Sequence, residues 1–188
     1  LRGAADRDEL DLHFRPVVDL SRDRVVGAEA LIRWLHPLSG LVQPEHFLPI
    51  AEESGQIVPM GHWALRTACT RASAWTARTS QPIFVTLDLS PRKFRTPDLV
   101  ATIRGALEEA GLPPGQLELA IGPSVLAEVA VRTVPIAPEL AATGVRLVLD
   151  GFGEECAPLD PACRLPLASP RLVRRLNAAL PPRPGNAR

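Results

Sequence analysis

The sequence predicts an α/β fold in which short strands alternate with longer helices, so that the strands form a mainly parallel sheet. Two observations lead to this prediction. Short, mostly apolar runs rich in β-branched residues recur along the chain, and amphipathic segments with helical spacing separate them. Strands and helices in this alternation form βαβ units with helices covering the sheet. The natural closure of such units is an α/β barrel.

The strand pattern predicts a barrel that is incomplete. The predicted strands are Leu12–Leu20, Val25–Ile32, Ile83–Leu89, Leu117–Ile121 and Val145–Leu149. The polar residues Ser21 to Arg24 between the first two indicate a hairpin. A TIM barrel has eight strands and typically about 250 residues, whereas this chain has 188 residues. We therefore expect a TIM-like (β/α) barrel with about five to six of the eight strands.

Three helices are predicted between these strands. Pro44 opens the first, because proline is favoured at an early helical position, and Phe47, Ile50 and Ala51 form its apolar face. The second helix carries Met60, Trp63, Ala64, Ala68, Ala72 and Trp75 at helical spacing. The third repeats the pattern from Leu99 to Ala110 and ends at the turn of residues 111–115. Each helix thus offers one surface to a core.

Composition suggests one domain with flanking segments. We assign residues 1–10 to a linker helix from a candidate upstream domain, 11–176 to the barrel domain and 177–188 to a disordered tail. Prolines are dense after Gly153, where they interrupt helices and interior strands alike. Within that region, Leu172 to Leu180 fits a short amphipathic helix.

Charge and cysteine content exclude several classes of function. Twenty-one basic and 21 acidic residues leave no net charge, so no nucleic-acid partner is expected. The cysteines Cys69, Cys156 and Cys163 form no paired CxxC motif, which indicates a reducing compartment. No apolar run has the length of a membrane helix. We expect a cytoplasmic chain with no membrane segment.

Three carboxylates are placed at or near the carboxyl ends of predicted strands. They are Glu29, Asp88 and Asp150. Side chains at these ends converge on one mouth of a parallel barrel, and converging carboxylates repel unless a divalent cation lies between them. This pattern favours Mg²⁺ or Mn²⁺. The alternative is that each acid simply faces solvent at the barrel rim.

Five motifs occur in the order found in one known family. They are Leu12–Leu20; Glu29-Ala-Leu31 with Arg33-Trp34 and His36-Pro37; Phe47–Gly55; Leu89–Arg92; and Leu147–Asp150 with Phe152-Gly153. On these motifs the chain resembles the EAL domain family across most of residues 10–153. The resemblance implies a TIM-like barrel that hydrolyses cyclic di-GMP to a linear dinucleotide with two divalent cations, Mg²⁺ or Mn²⁺. It also implies a metal ligand at Glu29 and substrate contacts at Leu31 and Arg33.

The chain departs from the family pattern at several of these positions. Asp88 stands where the family has a metal-binding asparagine, which a carboxylate can replace as a ligand. Ala120 and Gly151 replace metal ligands, so Glu29, Asp88 and Asp150 would form only a remnant site. Further departures are Arg171 for a catalytic lysine, Arg15 for a glutamine near the substrate, and the absence of the segment with the last catalytic glutamate. Arg15 would either repel a guanine edge or add a phosphate contact.

These departures favour a degenerate, truncated member of the family in cyclic-di-GMP signalling. We expect it to be catalytically inactive, to bind metal weakly or not at all, and to act as a regulatory or interaction module. Two alternatives remain open, a non-hydrolysing cyclic-di-GMP receptor and a working phosphodiesterase. A diguanylate-cyclase-like domain upstream is a further expectation. We also expect self-association into a homo-oligomer, because unpaired strand edges invite association.

Overall fold

The computed structural model describes residues 1–79, 81–122, 125, 136–152 and 167–172. The strands are β1 (Leu10–Asp19), β2 (Arg24–His36), β3 (Gly40–Val42), β4 (Phe84–Leu89), β5 (Leu117–Ile121), β6 (Arg146–Phe152) and β7 (Leu167–Leu172). The helices are α1 (Pro44–Ser54), α2 (Ile57–Thr79), α3 (Pro91–Phe94), α4 (Leu99–Ala110) and α5 (Ile136–Ala142), and a 3₁₀ turn covers Pro114–Gln116. All five predicted strands are confirmed.

The strands form one sheet with the order β1-β2-β4-β5-β6-β7, and β3 pairs with β2 beside this path. The β1–β2 and β2–β3 pairs are antiparallel. The pairs from β2 through β4, β5 and β6 to β7 are parallel. The predicted TIM-like α/β fold is confirmed, and its sheet is not closed. Seven strands lie in the described residues, where at most six were predicted, because β3 and β7 were missed.

The hairpin of β1 and β2 is longer than predicted. Residues pair from Leu10 with Trp34 to Asp19 with Arg24. The Asp19 carboxylate accepts hydrogen bonds from the backbone N–H and the hydroxyl of Ser21, at 2.9 and 2.6 Å, and these bonds fix the turn. Strand β2 continues past Ile32 because β3 folds back and pairs with its far end.

Strand β7 lies in the proline-rich segment after Gly153, where the prolines were predicted to interrupt helices and interior strands. It includes Pro170, which pairs with Leu149 of β6. Proline cannot donate to a ladder, so it is tolerated where a strand has a neighbour on one side only, and β7 pairs only with β6 in the described part of the chain. Leu172 ends this strand. The rest of the predicted 172–180 helix and the 177–188 tail lie outside the described residues.

Residues 2–8 form turns where a linker helix was predicted. The turns are held to the barrel by Glu9, whose carboxylate accepts hydrogen bonds from Arg7 and from the indole N–H of Trp34. These bonds lower the pKa of Glu9 to about 2. Ala4 is buried in a small cluster with Phe47 and Met60. That the segment connects to an upstream domain stays a prediction.

Helices α2 and α4 cover the outer face of the sheet, as their patterns predicted. Small residues on α2, Ala64, Ala68 and Ala72, are buried against the strands. Ile103 and Leu107 of α4 join the same core. Small side chains let the α2 backbone approach the sheet closely. None of the helices within the described ranges is long and apolar enough to cross a membrane.

The open sheet leads to a prediction about association. In the described residues β1 and β7 each have a hydrogen-bonded neighbour on one side only, and Val18, Leu20 and Val25 near the hairpin turn are exposed. Such edges and apolar side chains favour pairing between chains. We expect the 188-residue chain to self-associate, as measured by size-exclusion chromatography with light scattering. A monomer at all concentrations would contradict this.

Candidate functional site

The sheet presents two chemically different faces. Side chains alternate along a strand, so Val85, Leu87 and Leu89 of β4 point into the core beneath the helices. Thr86 and Asp88 therefore belong to the opposite face, which corresponds to the inside of the barrel. The predicted site residues Glu29, Asp88, Ala120 and Asp150 fall on this inner face by the same alternation.

Strand register places these residues in successive rows of the inner face. Glu29 lies opposite Thr86 on β4. Asp88, two residues further along, lies opposite Ala120 on β5. Asp150 follows Val148, the partner of Ala120 on β6, by two residues. Barrel strands are tilted, so successive rows on neighbouring strands can face the same mouth.

A cavity of about 390 Å³ opens at this mouth. It is lined by Leu31, Asp88, Ala120 and Asp150, together with residues of α1, α2 and α3. The structure thus brings two of the three predicted carboxylates to one cavity, beside the predicted substrate residue Leu31. Because Ala120 contributes only a methyl group there, no donor atom comes from β5 at this position.

Glu29 has a partner of its own in the structure. Arg15 lies directly opposite it across the antiparallel β1–β2 pair. Both Nε and Nη2 of Arg15 donate to Oε2 of Glu29, at 3.0 and 2.5 Å. The carboxylate side chain is 13% exposed and the guanidinium side chain 62% exposed. The signature carboxylate is therefore covered by a cation from the neighbouring strand.

The remaining predicted site residues are Arg33, Gly151 and Arg171, of which Arg33 is described in full and does not line the cavity. Arg33 donates from Nη1 to the carbonyl of Ile32 at 2.9 Å, so part of its guanidinium is held by its own strand. Gly151 lies in β6 and Arg171 in β7. The side chain of Arg171 is outside the described part of the molecule, so its predicted role stays a prediction.

Lys93 is a site residue that the sequence reasoning missed. It lines the same cavity as Asp88. A β-carbon at Gly61 of α2 would lie 2.4 Å from the Lys93 Nζ, so the lysine fits only because residue 61 has no side chain. Burial lowers the pKa of Lys93 to about 8, and the negative charge of Asp88 offsets part of this effect. The available signal was that Lys93 is the chain's only lysine.

The start of α3 fixes the position of Lys93. Ser90 is the N-cap, and its hydroxyl accepts a hydrogen bond from the Lys93 backbone N–H at 3.3 Å. Pro91 follows at the first helical position, where proline is favoured. Arg92 then donates to the carbonyl of Glu52 at 2.5 Å, which ties α3 to the end of α1. This bond connects two of the helices that form the cavity wall, α1 and α3.

An ion pair with one buried partner lies on the inner face, further from the mouth. Glu118, only 3% exposed, accepts a hydrogen bond from the Thr86 hydroxyl at 3.0 Å and pairs with Arg146 at 2.9 Å. The Arg146 guanidinium also lies 5.7 Å from the centre of the Phe84 ring. Since its charge is paired, Glu118 serves the packing of the barrel interior.

The residues that the structure describes do not fit a two-metal centre. No group of three or more His, Cys, Asp or Glu side chains in the described ranges is arranged to hold a metal ion. The Arg15 guanidinium covers Glu29, and Ala120 has no ligand atom. Two-metal catalysis needs ligands placed around both ions, and this donor set does not supply them.

Comparison with known proteins gives a consistent result. The EAL domain model matches residues 1–184. The chain is 39% identical over 152 residues to an uncharacterized signaling protein of Caulobacter vibrioides, covering 81% of this chain and 18% of that protein. It is 35% identical over 174 residues to the bifunctional diguanylate cyclase/cyclic di-GMP phosphodiesterase MucR of Pseudomonas aeruginosa, covering 93% and 25%.

Among solved structures, the PaMucR phosphodiesterase in its c-di-GMP complex is similar to this chain. The TM-score is 0.85 with 34% identity, and the match covers 93% of this chain and 70% of that one. The chain spans about a fifth to a quarter of the length of the two curated relatives named above.

Proposed function

Because this chain belongs to the EAL domain family, we propose that it serves cyclic-di-GMP signalling as a regulatory or interaction module that does not hydrolyse the dinucleotide. It is related to phosphodiesterases of the family, which are metal-dependent. The observation that carries the proposal is the Arg15–Glu29 ion pair at the signature carboxylate.

Loss of turnover follows from what the reaction requires. Two cations would have to polarise the phosphate, generate hydroxide and stabilise the leaving oxygen. Glu29 is engaged by Arg15, and Ala120 and Gly151 offer no side-chain ligand. Asp88 and Asp150 remain as candidate ligands at the cavity. Two carboxylates alone do not supply enough ligands to hold the pair of metal ions that the reaction needs.

A second candidate function is cyclic-di-GMP binding without hydrolysis. The cavity of about 390 Å³ falls within the usual range for small-molecule pockets, and PaMucR phosphodiesterase was solved with c-di-GMP. Lys93 at the cavity and the exposed part of Arg15 could supply positive charge to the ligand's phosphates. Leu31 would provide an apolar contact.

We propose that the module acts beside a diguanylate-cyclase domain in the cytoplasm. MucR carries both activities in its name, and this chain covers 25% of it. A barrel domain without turnover can still contribute an interface or a binding event to such a protein. The turns of residues 2–8 are the side from which an upstream domain would enter.

The test is a product assay with the purified chain and cyclic di-GMP in Mg²⁺ or Mn²⁺. The matched control is the PaMucR phosphodiesterase domain under identical conditions. We expect kcat at least about a thousandfold below the control, since the chemistry that two metals supply is missing. Linear dinucleotide formed at a rate near that of the control would refute the proposal.

Calorimetric titration separates the two candidate functions. Heat on adding cyclic di-GMP in the presence of EDTA, without product, supports the receptor. The absence of heat supports a module that works through protein contacts alone. Binding that appears only with added metal would contradict the charge arrangement on which both candidates depend.

A further inference from the structure

Each of two inner-face carboxylates has a cation of the same chain beside it. Glu29 on β2 is paired with Arg15 of β1. Asp88 on β4 shares its cavity with Lys93 of α3. The two cations come from different elements, Arg15 from β1 and Lys93 from α3.

The Arg15–Glu29 contact is well placed to persist. The two residues are directly opposed in the antiparallel register, so the backbone holds their β-carbons close. Two nitrogens of the guanidinium reach one carboxylate oxygen. Exposed ion pairs are generally weak, but here the carboxylate is only 13% exposed. A carboxylate with so little access to water retains a strong need for a partner.

Lys93 is held at the cavity by local structure. Its backbone is fixed by the Ser90 cap, and its aliphatic stem lies where Gly61 leaves room, since a β-carbon there would be 2.2 Å from the Lys93 Cε. The charge of Asp88 acts on the ammonium group. A divalent cation at Asp88 would share the cavity with this positive charge.

We propose that Arg15 and Lys93 take the place of divalent cations at Glu29 and Asp88, so that the mouth of the barrel excludes Mg²⁺ and Mn²⁺ by its own positive charge. The inference rests on the proposed absence of turnover and gives it a physical cause. It differs from simple ligand loss, because it states that the remaining carboxylates would still attract a metal if the two cations were removed.

The experiment measures Mn²⁺ binding without substrate. Free Mn²⁺ is followed by electron paramagnetic resonance for the wild-type chain, Arg15→Gln, Lys93→Gln and the double variant. The matched control is Arg24→Gln combined with Arg104→Gln, which removes two positive charges from exposed positions away from the cavity. Circular dichroism verifies folding, and the single variants carry the test if the double variant unfolds.

We expect the double variant to bind Mn²⁺ at least about tenfold more tightly than the wild type, as the removal of nearby like charge predicts. The control should match the wild type. Equal binding by wild type and double variant, whether measurable in both or absent in both, would overturn the inference. The product assay tests the proposed function separately, because a chain that excludes metal and one that lacks ligands would both fail to form product.

Discussion

Replacing Phe47 by alanine is expected to destabilise the chain by about 3–5 kcal/mol, the usual cost of truncating a buried phenylalanine. Phe47 is fully buried. Its ring packs edge-on to Trp34, with centroids 6.0 Å apart, and lies in the cluster that includes Ala4 and Met60. The substitution would leave a cavity between α1, the β2 strand and the amino-terminal turns.

Ile50→Ala is the matched control on the same helix. Ile50 is 55% exposed, so its truncation should change stability by no more than about 0.5 kcal/mol. Urea unfolding followed by circular dichroism measures both variants. Similar losses for the two substitutions would show that α1 is not anchored through Phe47.

Destabilising α1 should also affect the candidate site. Pro44, Leu48 and Glu52 of this helix line the cavity. Because Arg92 of α3 holds the carbonyl of Glu52, a shift of α1 would be transmitted towards Lys93. Any ligand affinity measured for the wild type should therefore weaken in Phe47→Ala and persist in Ile50→Ala.

The contrast between these two residues illustrates what a sequence pattern can predict. Spacing placed Phe47, Ile50 and Ala51 on one apolar face, and the structure buries only Phe47 and Ala51. The centre of the buried stripe falls between those two, so Ile50 lies at its edge. Periodicity identifies a face, but the width that becomes covered depends on the neighbouring elements.

Strands were predictable where their residues are apolar and β-branched, and less so elsewhere. β3 has only three residues and exists through its pairing with β2, which a local pattern does not reveal. β7 was not predicted because it lies among the prolines that follow Gly153, although a strand with one described neighbour tolerates a proline. Both misses reflect long-range pairing that outweighs local preference.

The sequence predicted individual residues of the candidate site, but it did not predict which of them contact each other. The sequence identified Glu29, Asp88 and Arg15 individually. The Arg15–Glu29 pair depends on the hairpin register, which follows from the whole length of β1 and β2. Lys93 reaches the cavity because Gly61 lies in front of it on another helix. Neither relation can be obtained from spacing along one segment.

Lys93→Met is expected to be more stable than the wild type at neutral pH. The difference in stability between the two chains should disappear at alkaline pH. The native pKa of Lys93 is lowered from 10.5 to about 8 by burial. Between these values the unfolded chain binds more protons, so the stability of the wild type rises with pH. The stability gained by the wild type when Lys93 is neutral is complete above about pH 10.5, and it is lost as the pH falls through 8.

At pH 7 the charged ammonium group of Lys93 therefore lowers the free energy of unfolding of the wild type. An uncharged methionine at the same position would not have this effect. Each pKa unit corresponds to about 1.4 kcal/mol, and water reaches part of this side chain, so we expect Lys93→Met to gain about 1–3 kcal/mol. Urea unfolding from pH 7 to 10.5 measures the difference in stability between Lys93→Met and the wild type.

Arg104→Met is the control, because it removes an equal charge at an exposed site. Effects of Cys69, whose thiol pKa burial raises to about 12, cancel because all chains retain it. A difference between Lys93→Met and wild type that stays constant with pH would show that the Lys93 ammonium is not desolvated at the cavity.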